Sequence, residues 1–188
     1  MATRAGLDQK IVVQAAAELA DAGGLHELSL ATLAERLGVR TPTLYHYVGG
    51  QAGLRRELAL MGCRELAIRM GKAVMGKAGD EAVLALAYAY RAFVNEHPGL
   101  YAATVQAADP DDKEVVAAQT QVVEIALATL SGYHLSHDDA IHVVRMIRSI
   151  VHGFATLEDG GGFGIPLDRD ETFKRLLNIF LSGLHKSS

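Results

Sequence analysis

From Ile11 to Leu184 the apolar residues of this chain recur every three or four positions, and no sustained two-residue alternation between hairpin turns interrupts them. That spacing lines one side of a helix, whereas a half-buried strand needs alternation, so the fold class is all-α. Asp8 caps a first helix with the apolar stripe Ile11, Val12, Ala15 and Leu19, and Gly23-Gly24 supplies the left-handed stop that helix ends favour. Ser29 caps a second, in which Leu30, Leu33, Ala34 and Leu37 share a face before Gly38 ends it. Thr41-Pro42 opens a third, with proline preorganised for the first turn and threonine as its cap, and Gly49-Gly50 closes it. The stripe Leu54, Leu58, Met61, Leu66, Met70 and Met75 predicts a long fourth helix from Gln51, fraying at Gly71, Gly76 and Gly79. Further helices are expected at 80–96, 98–107, 111–131, 137–158 and 170–185, about nine in all, with Pro98 and Pro110 marking the first two boundaries.

A chain of 188 residues with 49% hydrophobic content can bury a real core. No run approaches the roughly 18 apolar residues of a membrane span, and the start MATRAGLDQK lacks the apolar centre of a secretory signal, so no membrane partner and a cytoplasmic location are expected. A single cysteine, Cys63, excludes an intrachain disulfide and a cysteine-rich zinc site. The net charge of −4 is unevenly spread: residues 1–79 hold 10 Lys and Arg against 7 Asp and Glu, a net of +3, and the remainder nets −7. A basic front on an acidic rear suits a polyanion-binding module joined to a part that stays off the polyanion.

The segment GVRTPTLYHYV, residues 38–48, crowds two tyrosines, a histidine, an arginine and two threonines around one proline. Ala34 and Gly38 lie four apart among Leu33, Leu37, Val39 and Leu44, small residues that allow two helices to cross closely. A second helix after a short glycine-containing turn is the helix-turn-helix arrangement, whose second helix enters the DNA major groove. With Leu44 and Val48 facing inward at i, i+4, Arg40, Thr43 and Tyr47 form an outward ridge at i, i+3, i+7. Arginine offers a fork for guanine or phosphate, threonine a hydroxyl and a methyl for a base edge, and tyrosine a hydroxyl for phosphate. Double-stranded DNA is therefore the expected partner.

At these residues the sequence resembles the TetR family of bacterial transcriptional regulators, over about residues 7–58. The resemblance implies that Tyr45 and Tyr47 contact phosphate, that Arg40, Thr41, Thr43 and His46 contact bases or nearby backbone, and that Ser29 and Thr32 also face the DNA. Where the family usually has a phosphate-contacting lysine opening the fourth helix, this sequence has Gln51, a neutral hydrogen-bonding substitute, with Arg55 and Arg56 close by to supply charge. The stretches AYRAFVNEHPGLY and RSIVHGFATLE resemble a C-terminal effector domain of part of this family, whose usual WHG reads VHG here at Val151 to Gly153.

His142, Arg145, Ser149 and His152 share a helical ridge, and Arg148 lies four before His152. One reading makes Arg148 and His152 the polar fixtures of an apolar pocket with Tyr88, Phe93 and Tyr101, suited to a small-molecule effector carrying an acceptor or a negative charge. The other makes them satisfied core or interface groups. The eighth helix is apolar on nearly every side, with Val144, Ile147, Val151 and Phe154 among its residues, and the last shows Phe173, Leu177, Phe180 and Leu184. Pairing these two helices across a homodimer covers them, as the resemblance also implies, and spaces two recognition helices for a palindromic operator.

The organisation expected is a DNA-binding domain over 1–50, a connecting helix over 51–79, and an effector-binding and dimerisation domain over 80–188. GGGFG at 160–164 follows a helix rather than a strand and lacks a Lys-Ser/Thr ending, so it reads as a mobile loop and not a phosphate cradle. His134, His137, Asp138 and Asp139 lie at a helix start where Ser136 or Asp138 caps, so no metal is assigned. No nucleophile, base and orienting acid share a motif, and neither an enzyme nor a cofactor is expected. The reading is a ligand-responsive repressor. The competing one is a helical ligand-binding or oligomerising protein whose helix-turn-helix has no useful DNA affinity, and DNA binding at physiological salt separates the two.

Overall fold

The computed structural model describes residues 6–187; residues 1–5, which the expected DNA-binding domain includes, lie outside the described residues. Helix α1 (Gln9–Gly23) starts where Asp8 accepts the Ile11 amide at 2.8 Å and stops at Gly24, φ 85°. Helix α2 (Leu30–Leu37) is opened by a reciprocal pair: the Ser29 hydroxyl accepts the Thr32 amide, and the Thr32 hydroxyl accepts the Ser29 amide. It closes with two bonds around left-handed Gly38, Gly38 N–H to Glu35 O at 3.1 Å and Val39 N–H to Ala34 O at 3.0 Å. Helices α3 (Thr41–Val48) and α4 (Gln51–Val74) follow, then α5 (Gly79–Glu96), α6 (Pro98–Thr104), α7 (Lys113–Thr129), a 3-10 turn (Ser131–Tyr133), α8 (His137–Asp159) and α9 (Arg169–Ser187).

Several helix ends differ from expectation, by one to three residues. Helix α6 stops at Thr104 rather than Ala107. Helix α7 begins after Asp112, whose carboxylate accepts the Val115 amide at 3.2 Å, and α9 begins after Asp168, which accepts the Asp170 amide at 2.8 Å. In an acidic run the carboxylate that reaches an orphan amide sets the boundary, and composition alone does not say which one that is.

The chain packs as two compact units, one built from residues up to Glu65 with Glu96–Gln119, the other from Leu66–Asn95 with residues from Thr120 onward. In the first, α1 packs against α2, α3 and α6. A Cβ at Gly99 would fall 2.0 Å from the Ala20 carbonyl oxygen, so α6 approaches α1 as only glycine permits. The Asp21 carboxylate caps α6 from α1, accepting the Leu100 amide at 2.8 Å and bonding His97 Nδ1 at 2.8 Å.

The second unit is built around Phe93, Phe173, Leu86, Leu177, Met70 and Val151, all nearly inaccessible. Arg91 is buried here, its guanidinium 4.8 Å from the Phe173 ring centroid and 5.1 Å from that of Phe154. It donates to Glu158 at 2.6 and 2.9 Å and pairs with Asp170 at 2.8 Å. Those bonds satisfy charges that would otherwise be costly to bury, and they hold the Glu158 carboxyl below the usual carboxylate range.

This packing corrects the expected dimer face. Ile147, Val151, Phe154, Phe173, Leu177 and Leu184 are buried within the single chain, and Val144 and Phe180 are half-buried. Phe173 meets Phe154 at 4.9 Å and the edge of Tyr88 at 5.4 Å, so the chain itself covers that stripe. Nor is α8 buried all round: Met146 is 54% and Leu157 51% exposed, and Ile179 on α9 is 72% exposed.

Two outcomes follow from these contacts. Gly99→Ala forces α6 off α1 and is expected to lower unfolding free energy by about 1–3 kcal/mol, read from the urea midpoint. Because Glu158 is depressed, its contribution is full above the ordinary glutamate value of about 4.3 and is lost as pH falls through the folded value. Glu158→Gln should therefore destabilise the protein near neutral pH and have progressively less effect as pH falls below the ordinary glutamate range.

Candidate nucleic-acid interface

Burial fixes how α3 is rolled. Leu44 is 0% and Val48 4% exposed, which leaves Arg40, Pro42, Tyr45 and His46 exposed and Thr41, Thr43 and Tyr47 half-buried. The expected ridge of Arg40, Thr43 and Tyr47 thus lies off the buried side, with Tyr45, 57% exposed, and His46 on the flank. Arg40, not Thr41, is the N-cap of α3, in extended conformation and with no side-chain cap bond; Thr41 is already in the first turn. The hydroxyl expected to cap is therefore not used for that. Gly38 is exposed with nothing within 4 Å of an added Cβ, so its role is the left-handed turn and not the close helix crossing expected of it.

The end of α3 is equally determined. Gly49 is left-handed at φ 62° and donates to Tyr45 O at 3.1 Å. A Cβ on Gly53 would lie 1.8 Å from the Val48 carbonyl oxygen, so the last turn of α3 sits against the first turn of α4 with no space between. The Tyr45 ring rests beside Gly50, where a Cβ would come within 3.4 Å of it.

Gln51 is hydrogen-bonded within the unit. Its Nε2 donates to Leu28 O at 2.8 Å and its Oε1 accepts the Leu30 amide at 3.2 Å, so one side chain brackets Ser29 and holds the start of α2. A lysine cannot do this, because it has no acceptor. Ser29 and Thr32 are likewise engaged with each other at the α2 start, through two backbone-to-hydroxyl bonds and a 3.1 Å hydroxyl pair.

Arg56 is also committed inside the unit. It donates to Asp112 Oδ1 at 2.9 Å, Glu114 at 2.8 Å and Glu57 at 2.8 Å, and Nε bonds the other Asp112 oxygen. Arg64 joins through Glu114 at 2.6 Å. Asp112, then Glu114, raise the Arg56 pKa above its ordinary value, and Arg56 holds both carboxyls below theirs. The charge expected to face phosphate is therefore matched at home, whereas Arg55 is exposed. Asp112 and Glu114 carried no sequence signal for this, since they lie over fifty positions away.

The expected effector residues fall in both units. Tyr101, 4% exposed, belongs to the first unit, and Tyr88, Phe93, Arg148 and His152 to the second. Phe93 is fully buried beneath the Arg69 guanidinium, 5.5 Å from its ring centroid, Tyr88 is partly exposed, Arg148 is exposed and His152 half-buried. At the α8 start the Ser136 hydroxyl is the cap, accepting the Asp139 amide at 3.2 Å.

Residues 12–58 match the family described as bacterial regulatory proteins, tetR family, and residues 83–180 match the tetracyclin repressor-like C-terminal domain. The HTH-type transcriptional regulator YobS of Bacillus subtilis (strain 168) is 39% identical over 184 residues, spanning 98% of this chain and 96% of YobS. The chain belongs to the TetR family of DNA-binding transcriptional regulators. Solved structures agree on the fold of this TetR chain. A protein with unknown function from Rhodococcus sp. RHA1 aligns with TM-score 0.82 at 23% identity, covering 97% of each chain. A TetR from Acinetobacter baumannii AYE in complex with minocycline aligns with TM-score 0.73 at 21% identity, covering 96% of this chain and 98% of that one. The helix-turn-helix of this TetR member is accordingly α2 and α3. No helix of the described residues is long and apolar enough to cross a membrane.

The bracket formed by Gln51 is a test of the local account. Gln51→Leu should lower stability by about 1–2 kcal/mol through the freed Leu28 carbonyl and Leu30 amide, visible as a lower thermal midpoint.

Proposed function

We propose that the protein is a homodimeric, ligand-responsive repressor that reads a palindromic operator in the bacterial cytoplasm, acting by binding and not by catalysis. The observation that carries this is the roll of α3: with Leu44 and Val48 buried, Arg40, Thr41, Thr43, Tyr45, His46 and Tyr47 lie off its packed side. That set suits a helix seated in the major groove, with Arg40 and His46 toward base edges and Tyr45 and Tyr47 toward phosphate. Arg55 adds charge to the same edge. Ser29, Thr32, Gln51 and Arg56 hold the unit in shape.

The dimer surface proposed is the second apolar stripe of α8 and α9. Met146, Ile150, Gly153 and Leu157 recur at i, i+4, i+7, i+11, as do Thr172, Leu176, Ile179 and Gly183. A Cβ at Gly153 or Gly183 would meet nothing within 4 Å, which leaves room for close helix approach by a second copy. Two-fold pairing there sets the distance between two α3 helices to about one DNA turn or a little more. Effector binding falls to the second unit, with Tyr88, Phe93, Arg148 and His152 as its candidate residues, and Tyr101, also expected to bind effector, belongs to the first. Helix α4 belongs to both units and is the element through which an effector biases the spacing. The likeness to a TetR protein bound to minocycline supports a small-molecule response.

Binding to a mixed-sequence duplex, followed by anisotropy over a salt series, tests the interface. Arg55→Ala should weaken binding and reduce the slope of log affinity against log salt by about one, whereas Arg56→Ala should leave that slope unchanged. A lower slope for Arg56→Ala would place that charge on the DNA after all. For the dimer, Ile179→Glu should sediment as a monomer at micromolar concentration while the unaltered protein sediments as a dimer.

A further inference from the structure

The connection between α8 and α9 forms a cavity of about 270 Å³ that none of the residues discussed for the effector line. Three successive glycines make it. Gly160 donates to Thr156 O at 3.0 Å, Gly161 is left-handed at φ 69°, and Gly162 donates to Leu157 O at 2.7 Å. A Cβ on Gly162 would stand 2.9 Å from a Leu157 δ-methyl and 3.1 Å from the Leu157 carbonyl oxygen, so the chain doubles back close against the end of α8. The fold-back seats Phe163 on Phe154, ring centroids 4.9 Å apart, so the segment expected to be a mobile loop is anchored by an aromatic pair.

Beyond Phe163 the wall is apolar. Ile165 and Leu167 are 75% and 74% exposed, an uncommon placement for two large aliphatic side chains beside a concavity. The polar lining comes from the first turn of α9, Arg169 and Thr172.

The charges around the mouth are unequally used. Glu158 already takes two bonds from Arg91, at 2.6 and 2.9 Å, and one from Asn95 at 2.9 Å, while Arg169 Nε stands 3.9 Å from it. Asp170 pairs with Arg91 at 2.8 Å, Glu171 with Arg175 at 2.7 Å, and Asp168 accepts the Asp170 amide. Arg169, half-exposed, makes one long ion pair, to Glu158 at 3.9 Å, and its guanidinium stands at the rim of the apolar cavity with further N–H donors to offer. Thr172 donates to Asp168 O at 3.0 Å, and its hydroxyl oxygen remains able to accept.

We propose that this cavity is a second small-molecule site, for a compact aromatic carboxylate whose ring packs among Phe154, Phe163, Ile165 and Leu167 and whose carboxylate is received by Arg169. The volume lies at the lower edge of the roughly 300–1,000 Å³ typical of ligand pockets, which favours a mono- or bicyclic acid over a larger drug-like molecule. A planar guanidinium at an apolar rim selects a carboxylate over its neutral amide, because the fork matches two oxygens. The site goes beyond the proposed repressor function and stands without it, since neither α3 nor Arg148 and His152 line it.

Indoleacetate and indoleacetamide are the probes, titrated into the full-length protein by NMR in the absence of DNA. The expected result is saturable indoleacetate binding with intermolecular NOEs from the indole protons to the Ile165 and Leu167 methyls. Arg169→Gln should weaken indoleacetate by about 10-fold or more while leaving the weaker indoleacetamide unchanged. Equal affinity for acid and amide, or unchanged acid affinity in Arg169→Gln, overturns the proposal. NOEs to Phe93 or His152 instead would overturn it and support the effector site of the repressor reading. Absence of binding, with Ile165 and Leu167 shifting on protein dilution, would mean that a second copy fills the cavity and would overturn it as well.

Discussion

The burial of Leu44 and Val48 is the constraint on which the DNA-binding reading depends. Two apolar side chains one turn apart leave α3 a single roll, and the remaining positions of so short a helix are then distributed without further choice. The contacts at its ends fix direction as well. The two-bond turn around Gly38 delivers the chain to Arg40, and the contact between Gly53 and the Val48 carbonyl leaves no slack at the other end. Specificity in such a module comes from side chains held in place by a scaffold that does not itself touch the ligand.

Much of that scaffold was legible because its signals are local. Asp8, Ser29 and Ser136 each accept an amide three residues on, so a short window of sequence contains both partners. The internal bonds of Gln51 and Arg56 are the converse case. The partners of Gln51 are over twenty residues away and, Glu57 apart, those of Arg56 over fifty, and nothing near either residue distinguishes an internal hydrogen bond from one offered to phosphate. The dimer face shows a third kind of limit. Helices α8 and α9 carry two apolar stripes each, and periodicity does not say which one the chain covers itself. The stripe with Phe154, Phe173 and Leu177 went inward, where Arg91 and Tyr88 complete its packing.

Charge shows the same division between composition and placement. The basic excess of the front part suggested affinity for a polyanion, yet Arg56 and Arg64 share Glu114, and Arg36 stands 3.4 Å from Glu18. Near α3 the exposed basic side chains are Arg40, His46 and Arg55. Arg91 makes the complementary point in the second unit. A charge placed between two aromatic rings is tolerated because Glu158 and Asp170 satisfy it, and in return it organises the side chains around Phe154 and Phe173.

The measurement that tests the central claim most directly is selection of random double-stranded DNA by the purified protein at physiological salt, followed by sequencing. The account predicts enrichment of an inverted repeat with half-sites about one helical turn apart, and loss of that enrichment in Arg40→Ala. A folded, dimeric sample that enriches no sequence, or one that enriches the same repeat after Arg40, Thr43 and Tyr47 are all replaced by alanine, would contradict it.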